Sequence, residues 1–298
     1  MSGKLKEVRE RINSINSTQQ ITSAMKMVSA SKLKKAQDAI VRLRPYALRL
    51  NKMLMNVLSN LEGDVNSKLG EQRDIKNVLL IVVTSNRGLC GAFNANILKK
   101  AEHLLDTELA ENLSKGKVTL MCIGKKGLDY FQTHYPKTHI IKSYVNAFEK
   151  LDYDSTSAIS GSLMNEFESG KYDLVKVAFA RFKNAALQYP EIEQFLPVPK
   201  NQLKSGDTKS FKANYIFEPQ KDQLLDTLIP SIMHTTFQRF LLDTHASEHG
   251  ARMTAMENAT ENANELLVEL KLEFNKARQE AITKELLEII SGASALTG

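Results

Sequence analysis

Two stretches of the chain carry residue types that do chemistry. "HASEH", residues 245–249, fits H-x-x-E-H. Histidines four apart lie on one helix face, where they can ligate zinc while the glutamate serves as a base. Zinc also needs a third ligand and a sheltered cavity, and the surrounding pattern reads as a long exposed helix. "TSNRGLCGAFN", 84–94, joins a strand pattern to a helix pattern, the place where an α/β domain holds a phosphate. Its glycines, Gly88 and Gly91, match neither G-x-G-x-x-G nor the P-loop, and no Lys-Ser/Thr follows; "GKKG" at 124–127 is no better. Tight turns are the expectation at both. Cys90 has no histidine near it in sequence and reads as a small packed residue. No catalytic, cofactor-binding or metal-ligating residue is therefore expected.

Composition bounds the class of protein. Of 298 residues, 25% are charged and 42% hydrophobic, which places the chain among soluble globular proteins. No apolar run approaches the ~18–20 residues of a membrane span. "MSGKLKEVRERI" has no apolar signal region, and Cys90 and Cys122 are too few for a disulfide framework, so a reducing cytoplasm is expected. The net charge of +6 is unevenly spread: residues 1–52 hold twelve Lys/Arg against Glu7, Glu10 and Asp38. Such an arm suits nucleic acid, an anionic membrane or an acidic partner, or is a solvated helix face. With Tyr46 as its single aromatic and no recognition motif, nucleic acid is a poor fit.

Hydrophobic periodicity predicts a helix over 4–61, with Pro45 inside it. "EGDVNSKLGEQRD", 62–74, is polar and turn-rich. Short β-rich runs follow at 77–85, 117–124, 139–145 and 173–182, separated by helical patterns at 94–112, 125–134 and 153–169. Alternation of this kind predicts a doubly wound, Rossmann-like α/β domain. "YPEIEQFLPVP", 189–199, reads as a strand that proline keeps at the sheet edge. A second long helix runs from Lys221 to about Ile290, with acids at Glu257, Glu261, Glu265, Glu269 and Glu273. The expected parts are an N-terminal coiled-coil helix over 1–62, a linker over 63–76, an α/β domain over 77–218 and a C-terminal coiled-coil helix over 219–298.

A basic helix at one end and an acid-striped helix at the other predict an antiparallel coiled coil, residue i lying roughly opposite 280 − i. The last fifteen to twenty residues then have no partner helix, leaving Ile282, Leu286, Leu287, Ile289 and Ile290 bare. Bare apolar residues imply another protein. One interval breaks the pattern. Leu5, Val8, Ile12 and Ile15 repeat at 3, 4 and 3; the next positions, Gln19, Thr22, Lys26 and Ser29, are polar; Leu33, Ala36 and Ile40 then resume. A local phase shift is the expectation, with Ile21, Met25 and Val28 taking over the intrachain packing while Lys26 turns outward.

"NSTQQITSAMKMVSASKLKKAQ" (16–37), "RGLCGAFN" (87–94), "SEHGARMTAMENATENA" (247–263), "AITKELLEIISGASAL" (281–296) and the shorter "YIFEPQ" (215–220) occur in that order. On these motifs the chain closely resembles the γ-subunit family of F-type ATP synthases, bacterial in type, over essentially its whole length. Phe274, where the family often has Tyr, and Gly250, where Ala is usual, are small departures; Gly250 is expected to soften the helix.

The resemblance implies a non-catalytic rotary shaft without cofactors. Its coiled coil would stand inside a ring of α and β subunits, its α/β domain against ε and the membrane c-ring. Proton flow would turn the ring and shaft, driving the three β sites through their states. The resemblance places rotor–stator coupling on Met25, Arg252, Gln279, Thr283 and Glu285, and the foot facing ε and the c-ring on Tyr215 and Glu218. It implies a peripheral membrane protein on the cytoplasmic face of the cell inner membrane, held there through partners. A basic nucleic-acid-binding coiled coil and an H-x-x-E-H zinc protein are the alternatives.

Overall fold

The computed structural model describes residues 3–59, 68–198 and 221–297. Helix α1 spans Gly3–Ser59, and the final helix, α6, spans Lys221–Thr297, with Pro45 and Pro230 inside them. Between them come β1 (Val78–Val83), α2 (Phe93–Asp106), α3 (Ala110–Ser114), β2 (Val118–Ile123) and α4 (Lys125–His134). There follow β3 (His139–Ile141), α5 (Tyr153–Glu168), β4 (Leu174–Phe182) and β5 (Gln188–Leu196). The helix expected over 94–112 is broken: the Thr107 hydroxyl and amide both donate to the His103 carbonyl, which ends α2.

The strands form one sheet in the order β3-β2-β1-β4-β5, parallel except for β5, which runs antiparallel to β4. Pro190, which cannot donate to a ladder, lies in that edge strand opposite Ala180. Every residue of β1 is buried, because side chains alternate between two covered faces. Leu79, Ile81 and Val83 join Ile159, Leu163 and Phe167 of α5, Phe237 and Phe240 of α6, and Leu50 and Leu54 of α1. Val78, Leu80 and Val82 join Phe93, Ile97 and Leu105 of α2 and Phe131 of α4. Helices on both faces of a mostly parallel sheet make the domain doubly wound.

The chain packs as two compact units, Met1–Ser29 with Arg252–Gly298, and Ala30–Ala251. Both long helices therefore contribute to the sheet-containing unit. Within it, α6 is wrapped almost completely: Phe237, Phe240, Leu241, Ala246, Ser247 and His249 are all buried. Gly250 has a packing reason there. A Cβ would stand 3.2 Å from Cα and O of Ala185, in the turn between β4 and β5, so the small residue permits that approach.

Asp243 is buried on the same stretch, 8% exposed. Burial is the main force on it, opposed by Arg239 and reinforced by Glu193, and together they push its carboxyl up to about 6. A folded-state value above the unfolded one means that the fold prefers the neutral acid. That preference is fully satisfied below about pH 4 and is lost as pH rises through about 6. Asp243→Asn is therefore expected to stabilise the chain at pH 8, by up to about 3 kcal/mol, and to add nothing at pH 4. Urea unfolding of both chains at the two pH values measures this; equal gains at both would refute it.

Candidate functional site

The unit formed by 1–29 and 252–298 is built on a continuous seam. On α1, Leu5 and Val8 are buried and Ile12 and Ile15 half-buried, and the polar positions continue the series: Gln19 and Lys26 half-buried, Thr22 and Ser29 buried. On α6, Met256, Ala263, Leu267, Leu270 and Ala277 are buried, with Thr260 and Phe274 half-buried between them. Spacings alternating between four and three are those of a coiled-coil seam. The hydroxyls of Thr22 and Thr260 meet at 2.8 Å, Lys26 Nζ reaches Glu257 Oε1 at 2.5 Å, and the Arg9 guanidinium lies over the Phe274 ring. All three pairs run antiparallel, two to three residues from the register expected from the sequence.

The phase shift expected over 18–33 is absent. Ile21 and Val28 are 59% and 56% exposed, while the polar residues point inward. The reason is that each inward hydroxyl has a partner. Of the facing Thr22 and Thr260 hydroxyls one donates across to the other, which donates in turn to a carbonyl of its own helix, Gln19 or Met256, and Ser29 donates to the Met25 carbonyl. A polar seam satisfied in this way does not need to rotate out. Lys26, expected to face outward, instead crosses to α6. The acid stripe stays in solvent, and the Lys26–Glu257 pair itself has side chains 40% and 51% exposed. At such exposure the pair contributes on the order of 0–1 kcal/mol, so packing along the seam, not attraction of opposite charges, holds the two helices.

The outer surface is unusually apolar for a helix pair. Ile21, Met27 and Val28 are exposed on α1, and Leu266, Val268 and Leu272 on α6. At the C-terminal end Ile282, Leu286, Leu287, Ile289 and Ile290 are 49–67% exposed, as expected from the sequence. Gln279 follows Leu272 by seven residues and precedes Leu286 by seven, so all three lie on one helix face. Thr283 and Glu285 are exposed on the same segment. Met25 is half-buried and Arg252 is buried. The foot residues Tyr215 and Glu218 lie outside the described residues. The seam of α6 and the bare set Ile21, Met27 and Val28 were missed from sequence; the regular spacing of Met256, Ala263, Leu267 and Leu270 was the signal that could have revealed them.

The motifs that resemble chemistry prove to be structural joints of the sheet unit. His245 and His249 turn their Nε2 atoms to each other at 3.1 Å, and His245 stacks on Phe148. No group of three potential metal-ligating side chains gathers among the described residues. In the 84–94 turn, Asn94 accepts from the Ser85 amide and donates to Cys90 Sγ. The first amides of α4 are equally engaged: Lys125 N–H on Asn86, Lys126 N–H on the Ser85 carbonyl, and Gly127 N–H on the Thr84 hydroxyl. A helix start whose amides are already bonded has little left to offer a phosphate. Cys122 is buried and its thiol pushed up to about 12 by desolvation, a poor nucleophile. Among the described residues no helix is long and apolar enough to cross a membrane.

An α/β domain inserted between two helices that pair with each other and bare apolar side chains is a subunit of a larger assembly. Comparison with known proteins identifies which. The ATP synthase family model matches residues 4–296. The ATP synthase gamma chain of Cytophaga hutchinsonii is 47% identical over 292 residues, covering 98% of each chain. That of Flavobacterium johnsoniae is 49% identical over 295 residues, covering 99% of each. In a cryo-EM structure of Euglena gracilis mitochondrial ATP synthase, containing OSCP, F1 and c-ring, one chain has the same fold, with a TM-score of 0.67 at 21% identity, covering 99% of this chain and 95% of that one. The chain belongs to the ATP synthase gamma chain family, the non-catalytic central-stalk subunit of the F-type enzyme. Neither the nucleic-acid-binding nor the zinc alternative is supported.

Proposed function

We propose that the coiled coil turns inside a ring of α and β subunits and couples proton flow through the c-ring to ATP synthesis or hydrolysis at the three β sites. The observation that carries this reading is the apolar end of α6, whose Ile282, Leu286, Leu287 and Ile289 are 49–67% exposed among the described residues. A hydrophobic point of this size needs an apolar sleeve, and a rotating one needs a sleeve without deep sockets. The structural relative from Euglena gracilis, which sits in an assembly of OSCP, F1 and c-ring, supports the partners. The α/β domain is the part that meets ε and the c-ring, with Tyr215 and Glu218 at that foot. The subunit is then a peripheral one on the cytoplasmic face of the inner membrane, held by its partners.

Coupling works because one orientation of an asymmetric shaft stabilises a different nucleotide affinity at each β site. Met25, Arg252, Gln279, Thr283 and Glu285 are the residues assigned to that task. Exposed Lys32, Lys34 and Lys35 and the basic residues of 42–52 pass an acidic part of β, where weak, screened charge avoids a fixed stop. Met25→Lys adds a charge to a half-buried position beside the seam and is expected to lower the ratio of proton pumping to ATP hydrolysis in the reconstituted complex. Lys34→Ala is expected to leave that ratio unchanged. Equal ratios for Met25→Lys and the parent complex would refute the assignment.

A further inference from the structure

Within the sheet-containing unit, a cavity of about 850 Å³ opens between the 40–51 stretch of α1, the start of the β4–β5 turn and the 232–243 stretch of α6. This volume lies in the range of small-molecule sites. One wall is apolar, made by Ile40, Leu43, Ala47 and Ile232. The other carries Arg44, Arg181, Lys183 and Arg239 against Glu193 and Asp243. Two of the cations are already engaged, Arg239 with Glu193 at 2.7 Å and Arg181 with Glu191 at 2.8 Å. Among the described residues Arg44 and Lys183 enter no ion pair, so the lining keeps an excess of positive charge.

Asp243 supplies the second observation. It lines the cavity, is more than nine-tenths buried, and makes no hydrogen bond or ion pair among the described residues. Its carboxyl feels the Arg239 and Arg181 guanidiniums and lines open space that Arg44 and Lys183, the latter over the Tyr189 ring, also border. We propose that the cavity binds a small amphiphilic anion. The alkyl body lies on the Ile40–Leu43–Ala47–Ile232 wall; the head group is held by Arg44 and Lys183 and accepts a hydrogen bond from the protonated carboxyl of Asp243.

Binding is then proton-linked, since the acid donates and the carboxylate repels. The charged groups around Asp243 are Arg239 on its own helix, Arg181 on β4, Glu191 and Glu193 on β5, Lys183 at the turn and Arg44 on α1. With the carboxyl pushed up to about 6, it is mostly protonated at pH 5.5 and almost entirely ionised at pH 8. Decanesulfonate is a suitable probe because its head group stays ionised throughout. Calorimetry with the full chain is expected to give one saturable site at pH 5.5, weakened at least tenfold at pH 8. Asp243→Asn is expected to abolish that pH dependence, and Arg44→Gln, on an exposed helix face, to weaken binding at both values. No saturable site at either pH, or a pH dependence that survives in Asp243→Asn, would overturn the proposal.

Discussion

Gly124→Ala is expected to abolish cooperative folding of the sheet-containing unit. Gly124 has φ 103° and ψ 137°, a backbone region open essentially to glycine alone. A Cβ there would fall far inside contact distance of the Thr84 carbonyl oxygen. The neighbours cannot yield cheaply, because that segment is tied on both sides. Thr84 N–H donates to the Ile123 carbonyl at 2.8 Å, Gly124 N–H to Val145 at 3.0 Å, and Gly127 N–H to the Thr84 hydroxyl at 2.8 Å. Backbone strain with displaced hydrogen bonds costs on the order of 3 kcal/mol or more, a large part of the ~5–15 kcal/mol that holds a domain. Gly88 is the natural comparison, since a Cβ there meets only the flexible Lys126 side chain at 3.8 Å. Circular-dichroism melts of both variants decide it: Gly124→Ala melting within a degree or two of the parent chain would show the argument wrong.

Phe240→Ala is expected to cost about 3–5 kcal/mol in the isolated chain. Its ring is fully buried where α6 meets the sheet, 4.6 Å from Phe179 and 6.4 Å from Phe195 between centroids. Removing it empties the centre of a cluster shared by α1, α5, α6 and four strands. Leu286→Ala, on the same helix but 54% exposed, is expected to change the stability of the isolated chain by less than ~0.5 kcal/mol. Urea unfolding of the two variants reads the contrast. A similar loss for both would mean that the end of α6 has cover within the chain.

Much of this architecture was legible in the residues. The alternation of "NVLLIVVTS" and "KVTLMCIG" with helical patterns foretold parallel strands, and the prolines of "YPEIEQFLPVP" marked the edge strand. The bare end of α6 followed from counting residues along two helices of unequal length. The interval 18–33 was misread for a physical reason. A hydropathy pattern scores Thr22 and Ser29 as outward-facing, but a hydroxyl can satisfy itself against a carbonyl four residues back or against a hydroxyl on the facing helix. The cavity beside Asp243 was invisible because its lining comes from residues as far apart in the chain as Ile40 and Asp243. His245 and His249 show the converse: their spacing suggests zinc, while their geometry has them bonded to each other.

The hydroxyl pair of Thr22 and Thr260 bears on how two wound strands carry load. Sliding α1 by one heptad along α6 would set Thr22 against Leu267 and leave both hydroxyls without each other. Each hydroxyl would fall back on a carbonyl of its own helix and the cross-strand bond, worth about 0.5–1.5 kcal/mol, would be lost, whereas an all-leucine interface would let the strands creep by whole heptads at little penalty. The pair acts as an index pin in a gearbox: twist applied to one strand reaches the other in step, because slippage has to shear the pin first.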